Sequence, residues 1–124
     1  MGFFLFMYYC GIFTASVTGL KTILGLPLTP TEVRFTVNKT SNDPWLSSGE
    51  ATVTAQEAHT TYFDVVPSGE TLSDTTKCLT HYERQSGALV KVLSFAFVSF
   101  GPGRFKINID TANPNIQIFV EVWG

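Results

Sequence analysis

Charge is scarce in this sequence. Only 15% of its 124 residues are Asp, Glu, Lys or Arg, and none of these precedes Lys21. Lys and Arg number 8 against 10 Asp and Glu. No basic field is available to draw a phosphate backbone, so nucleic acid is not an expected partner. Cysteine is as sparse, with Cys10 and Cys78 alone. Two thiols make no disulfide scaffold. They either pair across neighbouring strands or stay as buried free thiols, which behave as small hydrophobes. Long apolar runs are missing too. The opening MGFFLFMYYCGIF falls short of the ~18 residues of a membrane span. It lacks the positive n-region of a signal peptide, and Tyr8-Tyr9-Cys10 lacks the small residues expected before a lipidated cysteine. A first strand from Tyr8 to Ser16 is favoured over a signal peptide, with residues 1–7 as an apolar arm or strand extension. No stretch has the 3.6-residue periodicity of an amphipathic helix, and neither a repeat nor a linker divides the chain. It reads as one domain, 1–124, long enough to bury roughly two-thirds of the unfolded surface.

What is present is β-forming. The 11 Phe outnumber the 2 Met, and Val, Ile and Thr are plentiful, which suits a pleated, half-buried surface. The ending, Leu89–Gly124, organises the rest. Phe105, Ile107 and Ile109 alternate with Lys106, Asn108 and Asp110. Ile116, Ile118, Val120 and Val122 alternate with Gln117, Phe119, Glu121 and Trp123. This period of two marks half-buried strands. Val33, Phe35 and Val37 repeat it within Thr31 to Asn38. Further strands are expected over Leu20–Leu26, Ala51–Gln56, Ala58–Val66, Thr75–Arg84 and Leu89–Phe100. The mixed faces of Thr75–Arg84 suggest a sheet edge or a strand covered by a subunit, and the length of Leu89–Phe100 suggests a bend or a bulge. Lys39–Glu50, rich in Ser, Asn, Asp and Gly, reads as a loop. Turns are expected at Pro67–Glu70, running on as a loop to about Asp74, and at Ser86-Gly87, Gly101–Gly103 and Thr111–Asn115. The sum is an all-β chain, an antiparallel sandwich or jelly roll of about eight or nine strands.

Gly11-Ile12-Phe13, Gly19-Leu20-Lys21-Thr22-Ile23 and Leu28-Thr29-Pro30-Thr31-Glu32-Val33-Arg34-Phe35 together resemble the opening of H-type lectin-like domains. Phe100-Gly101-Pro102-Gly103-Arg104-Phe105-Lys106-Ile107 and the closing strand Ile116–Trp123 resemble their ending. Similar rhythms occur in bacteriophage tail-fibre modules. The resemblance covers about half the chain. It implies a β-sandwich, commonly trimeric, that binds a surface glycan or forms part of a virion. It carries over no sugar-binding residue.

Catalytic chemistry finds little purchase. There is no Gly-x-Ser-x-Gly elbow and no Gly-rich phosphate loop. His59 and Asp64, five apart, face opposite sides of a strand. His81 and Glu83 share a face and would need a third ligand such as His59 to hold a metal. The ordinary reading is a polar strand face paired with Lys77 and Glu57. Neither a metal nor a cofactor is expected. Binding has two candidate sets, each mixing an aromatic face with groups that bond hydroxyls. Trp45, Asn42 and Asp43 share the Lys39–Glu50 loop. Tyr62, Asp64, His81, Tyr82 and Arg84 lie on adjacent strands. The function expected is therefore non-enzymatic. It is a structural or binding module, virion-associated or extracellular, that forms a homo-oligomer, favoured as a trimer. Its partner is a glycan or another virion or cell-surface protein. A lectin-like protein with no virion role is the alternative, and a small hydrolase or metal-binding protein the least favoured.

Overall fold

The computed structural model of the chain describes residues 8–40, 44–62, 70–86 and 88–124. Among them are ten strands and no helix: β1 Tyr8–Ala15, β2 Gly19–Ile23, β3 Glu32–Thr40, β4 Pro44–Thr52, β5 Gln56–Tyr62, β6 Glu70–Asp74, β7 Leu79–Gln85, β8 Ala88–Gly101, β9 Arg104–Thr111 and β10 Asn113–Trp123. They form a sandwich of two antiparallel sheets. One has the order β1-β10-β3-β4-β5-β6 and the other β2-β9-β8-β7. The alternation that marks β3, β9 and β10 in the sequence is the alternation of burial. Val33, Phe35, Val37, Phe105, Ile107, Ile109, Ile116, Ile118, Val120 and Val122 all point into the core. β7 is a sheet edge and β8 carries register shifts at Ser94/Phe95 and Phe97/Ser99, both as expected.

Two strands exceed expectation, and the reasons are local. The described residues of the Lys39–Glu50 span are strand, not loop. β3 continues to Thr40 and pairs with β4, with Lys39 opposite Trp45 and Thr40 opposite Pro44. The small polar residues that read as loop are the inward face of β4: Ser47 and Gly49 are buried beside Ala51. Their size lets the opposing sheet come close. A Cβ built on Gly49 would overlap the Cys78 carbonyl oxygen. The second extra strand is β6, in the span expected to be loop as far as Asp74. It pairs with β5 from Ala58↔Asp74 to Tyr62↔Glu70. Glu70, expected to end the Pro67–Glu70 turn, is thus the first residue of β6; the rest of that turn and the end of the Ala58–Val66 strand lie outside the described residues.

Other boundaries shift for stated causes. The expected strand Ala51–Gln56 breaks at a turn in which Thr52 N–H donates to the Ala55 carbonyl at 2.8 Å. Thr75–Cys78 precedes β7 as a turn, because Asp74 Oδ1 accepts from Thr76 N–H at 2.8 Å and from Thr76 Oγ1 at 2.6 Å. Those two bonds hold the Asp74 carboxyl below the usual carboxylate range. Thr111–Asn115 is not a turn but a corner. Ala112 alone separates β9 from β10, and the chain changes sheets there.

Phe35 centres the core. Its ring lies 4.9 Å from that of Phe95, 5.8 Å from Phe105 and 6.0 Å from Phe13, centroid to centroid. A second, polar bridge joins the sheets. Thr60 Oγ1 donates to the Thr80 carbonyl at 2.7 Å and accepts from Ser47 Oγ at 3.2 Å. Ser47 Oγ has one proton, so it accepts from His81 Nδ1 at 2.6 Å. The β2–β3 connection is tied down at the β8–β9 turn. Leu26 N–H donates to the Gly103 carbonyl and Gly103 N–H to that of Leu28. Gly103 has a φ of +65°, which glycine adopts without strain. The cysteines do not pair and are not alike. Cys10 is exposed on β1, while Cys78 is buried and its thiol is pushed up by desolvation.

Candidate functional site

The outward side chains of the six-stranded sheet stand in rows set by strand register. One row runs Cys10, Glu121, Arg34, Glu50, Glu57. The row beside it runs Ile12, Phe119, Thr36, Ser48, His59, Ser73. On the other side stand Tyr8, Trp123, Glu32 and Thr52. The period of two puts them outward because their neighbours Val33, Phe35, Val120 and Val122 are in the core.

These rows converge on Arg34. Its Cζ lies 5.3 Å from the Trp123 ring centroid, within cation–π range. Its Nε is 3.5 Å from Glu32 Oε1 and 3.6 Å from Glu50 Oε2. Tyr8 and Trp123 rings meet at 5.5 Å, and Tyr8 donates to Glu121 Oε2 at 3.0 Å. On the far side His59 reaches Glu57 at 3.4 Å and Ser73 Oγ at 3.1 Å. A shallow recess of about 350 Å³ lies between, lined by Arg34, Thr36, Ser48, Glu50, His59 and Glu121 among others. One guanidinium stands in the same rows as the carboxylates of Glu32, Glu50, Glu57 and Glu121, so the patch is acidic. It offers one planar donor, several carboxylate and hydroxyl acceptors and an aromatic rim. Such a surface can bond a polyol and repels anions.

The Tyr8 contact has a titration consequence. Its hydrogen bond to Glu121, and that carboxylate's charge, raise the phenol to about 12 from an ordinary 10. The raised value belongs to the folded chain, so the contact's contribution is complete below pH ~10 and is lost as pH rises toward ~12. The phenolate absorbance difference between the parent chain and Tyr8→Phe should titrate near 12. In Glu121→Gln the same difference should move down toward 10. A Tyr8 midpoint near 10 in the parent chain would show that the bond is absent in solution.

The candidate residues expected from sequence are dispersed. Asn42, Asp43 and Asp64 lie outside the described residues. Trp45 and Tyr62 are cross-strand partners in β4 and β5 rather than parts of two separate sets. His81, expected on a polar face, is fully buried against Ser47. Its polarity serves the bridge between sheets, so it offers nothing to an external ligand. His59 points outward from the same sandwich, so the two histidines cannot share a ligand. Tyr82 is half-buried, with Lys91 Nζ 5.9 Å from its ring centroid. Arg84 pairs with Leu89 on β8. Among the described residues no cluster of three His, Cys, Asp or Glu could hold a metal, and no helix is long and apolar enough to cross a membrane. Sequence reasoning missed Arg34, Trp123 and Tyr8. Their outward phase was readable, but their adjacency depends on β10 lying between β1 and β3. No family model, curated protein or solved structure matches the chain.

Proposed function

We propose that this chain is a non-enzymatic binding module that captures a neutral surface glycan on the outer face of its six-stranded sheet, in a virion-associated or extracellular setting. The observation that carries this reading is the Tyr8–Trp123–Arg34 stack beside the recess of Glu50, His59 and Glu121. Aromatic faces pack against the apolar faces of sugars, and the carboxylates and guanidinium bond the hydroxyls. The excess of carboxylates disfavours sialylated or sulfated glycans. The resemblance to H-type lectin-like and tail-fibre domains supports the same class of ligand.

A glycan array probed with the purified chain tests it. Neutral glycans should be retained and acidic ones not. Trp123→Ala and Arg34→Ala should each weaken binding about tenfold, a loss of about 1.4 kcal/mol, and Arg34→Lys should lose part of it, because an ammonium cannot reproduce the planar fork. An array with no neutral-glycan binding, or binding indifferent to both alanine variants, would refute the proposal.

A further inference from the structure

Among the described residues the sandwich of two open sheets has four edge strands, β1, β6, β2 and β7. Edges expose unpaired N–H and C=O groups, and soluble proteins commonly protect them with charge, proline or bulges. Three of these edges are charged. β2 carries Lys21, β6 carries Glu70 and Asp74, and β7 carries Glu83 and Arg84. β1, YYCGIFTA, has no charge and no proline, and its only irregularity falls at its end, between Phe13 and Ala15. Beside it on the outer face runs an apolar groove of about 390 Å³ lined by Cys10, Gly11, Ile12, Phe119, Val120 and Glu121. Ile12 and Phe119 are 55% and 45% exposed there, and Tyr8, at the start of β1, is 50% exposed.

We infer that β1 pairs antiparallel with β1 of a second copy, joining two six-stranded sheets into one across a two-fold axis. The absence of charge selects this occupant. In a two-fold pairing each strand meets its own sequence, so any charge near the axis would face its like. A neutral edge is compatible with itself, whereas the other three would each set like charges close together or demand a different partner. Face matching restricts the register further. Opposed residues lie on the same side of a sheet, so outward Tyr8, Cys10 and Ile12 must meet outward residues. The axis then falls at Cys10, with Ile12 opposite Tyr8 of the other copy, or at Gly11, with Cys10 opposite Ile12. In both arrangements the two Cys10 residues are opposite or diagonal neighbours, within about 8 Å. This inference does not rest on the glycan reading.

Absolute mass by light scattering, with a short bis-maleimide cross-linker on the same sample, tests it. The expected result is a dimer, cross-linked through Cys10 and through no other residue. Ile12→Lys should give a folded monomer at the same concentration, with an unchanged far-ultraviolet circular dichroism spectrum. Leu20→Lys, which adds a charge to the β2 edge, should stay dimeric. A monomeric or trimeric parent chain would overturn the inference. So would a dimer that survives Ile12→Lys, or one that the cross-linker does not capture at Cys10.

Discussion

Gly49→Ala is expected to destabilise the fold by about 3 kcal/mol or more, at the upper end of what overpacking does. Two effects oppose one another at this position. Alanine in a strand is favoured over glycine by about 0.5–1 kcal/mol through backbone entropy, and Gly49 needs no unusual φ. Against that, the new Cβ would overlap the Cys78 carbonyl oxygen, and the Glu57 carbonyl oxygen stands 3.1 Å away. These obstacles are backbone, so no rotamer change clears them. Cys78 cannot simply retreat, because its N–H donates to the Phe95 carbonyl at 3.0 Å and its side chain is fully buried. Relief requires β4 and the approach to β7 to move apart, which would also stretch the Ser47–His81 bond nearby. Urea denaturation followed by tryptophan fluorescence measures the result. Ser48→Ala, one residue away and exposed, should stay within about 0.5 kcal/mol. A Gly49→Ala chain as stable as the parent would mean that the sheets are not this close in solution.

The same strand shows where sequence reasoning stops. Alternation gave β3, β9 and β10 with their core faces, because a strand covered on one side must alternate. It failed for β4, where the inward residues are Ser47, Gly49 and Ala51. Small polar residues at a close approach between sheets look like a loop in composition. His81 failed for a related reason. A polar side chain was assigned to the surface, but its Nδ1 is bonded inside by the hydroxyl of Ser47, which comes from the opposite sheet and lies 34 residues away in the chain. The candidate site was legible only in fragments. Outward Arg34 and outward Trp123 were both readable, yet their contact requires β10 to insert beside β3, and the Tyr8–Glu121 bond spans 113 residues. Pairing at such separation is fixed by how the whole core closes, and no local pattern records it.

The closing of that core depends most on one ring. Phe35→Ala should cost about 3–5 kcal/mol, a large share of the ~5–15 kcal/mol by which a domain is stable. Phe35 comes from the six-stranded sheet, Phe95 and Phe105 from the four-stranded sheet, and Phe13 from the β1 edge. Removing the ring takes an edge-on partner from all three at once. It leaves a cavity that the β-sandwich can close only by moving its sheets together. The Gly49–Cys78 approach already limits that movement, so the cavity should persist and the loss should lie toward the upper end. Phe35→Leu retains most of the volume and should lose about 1–2 kcal/mol. Val53→Ala, in an exposed turn at 74% accessibility, should change stability by under about 0.5 kcal/mol. If Phe35→Ala lost less than about 1 kcal/mol, the two sheets would not be joined through this ring. The Ser47–Thr60–His81 bridge would then hold them, and Ser47→Ala should become the more damaging substitution.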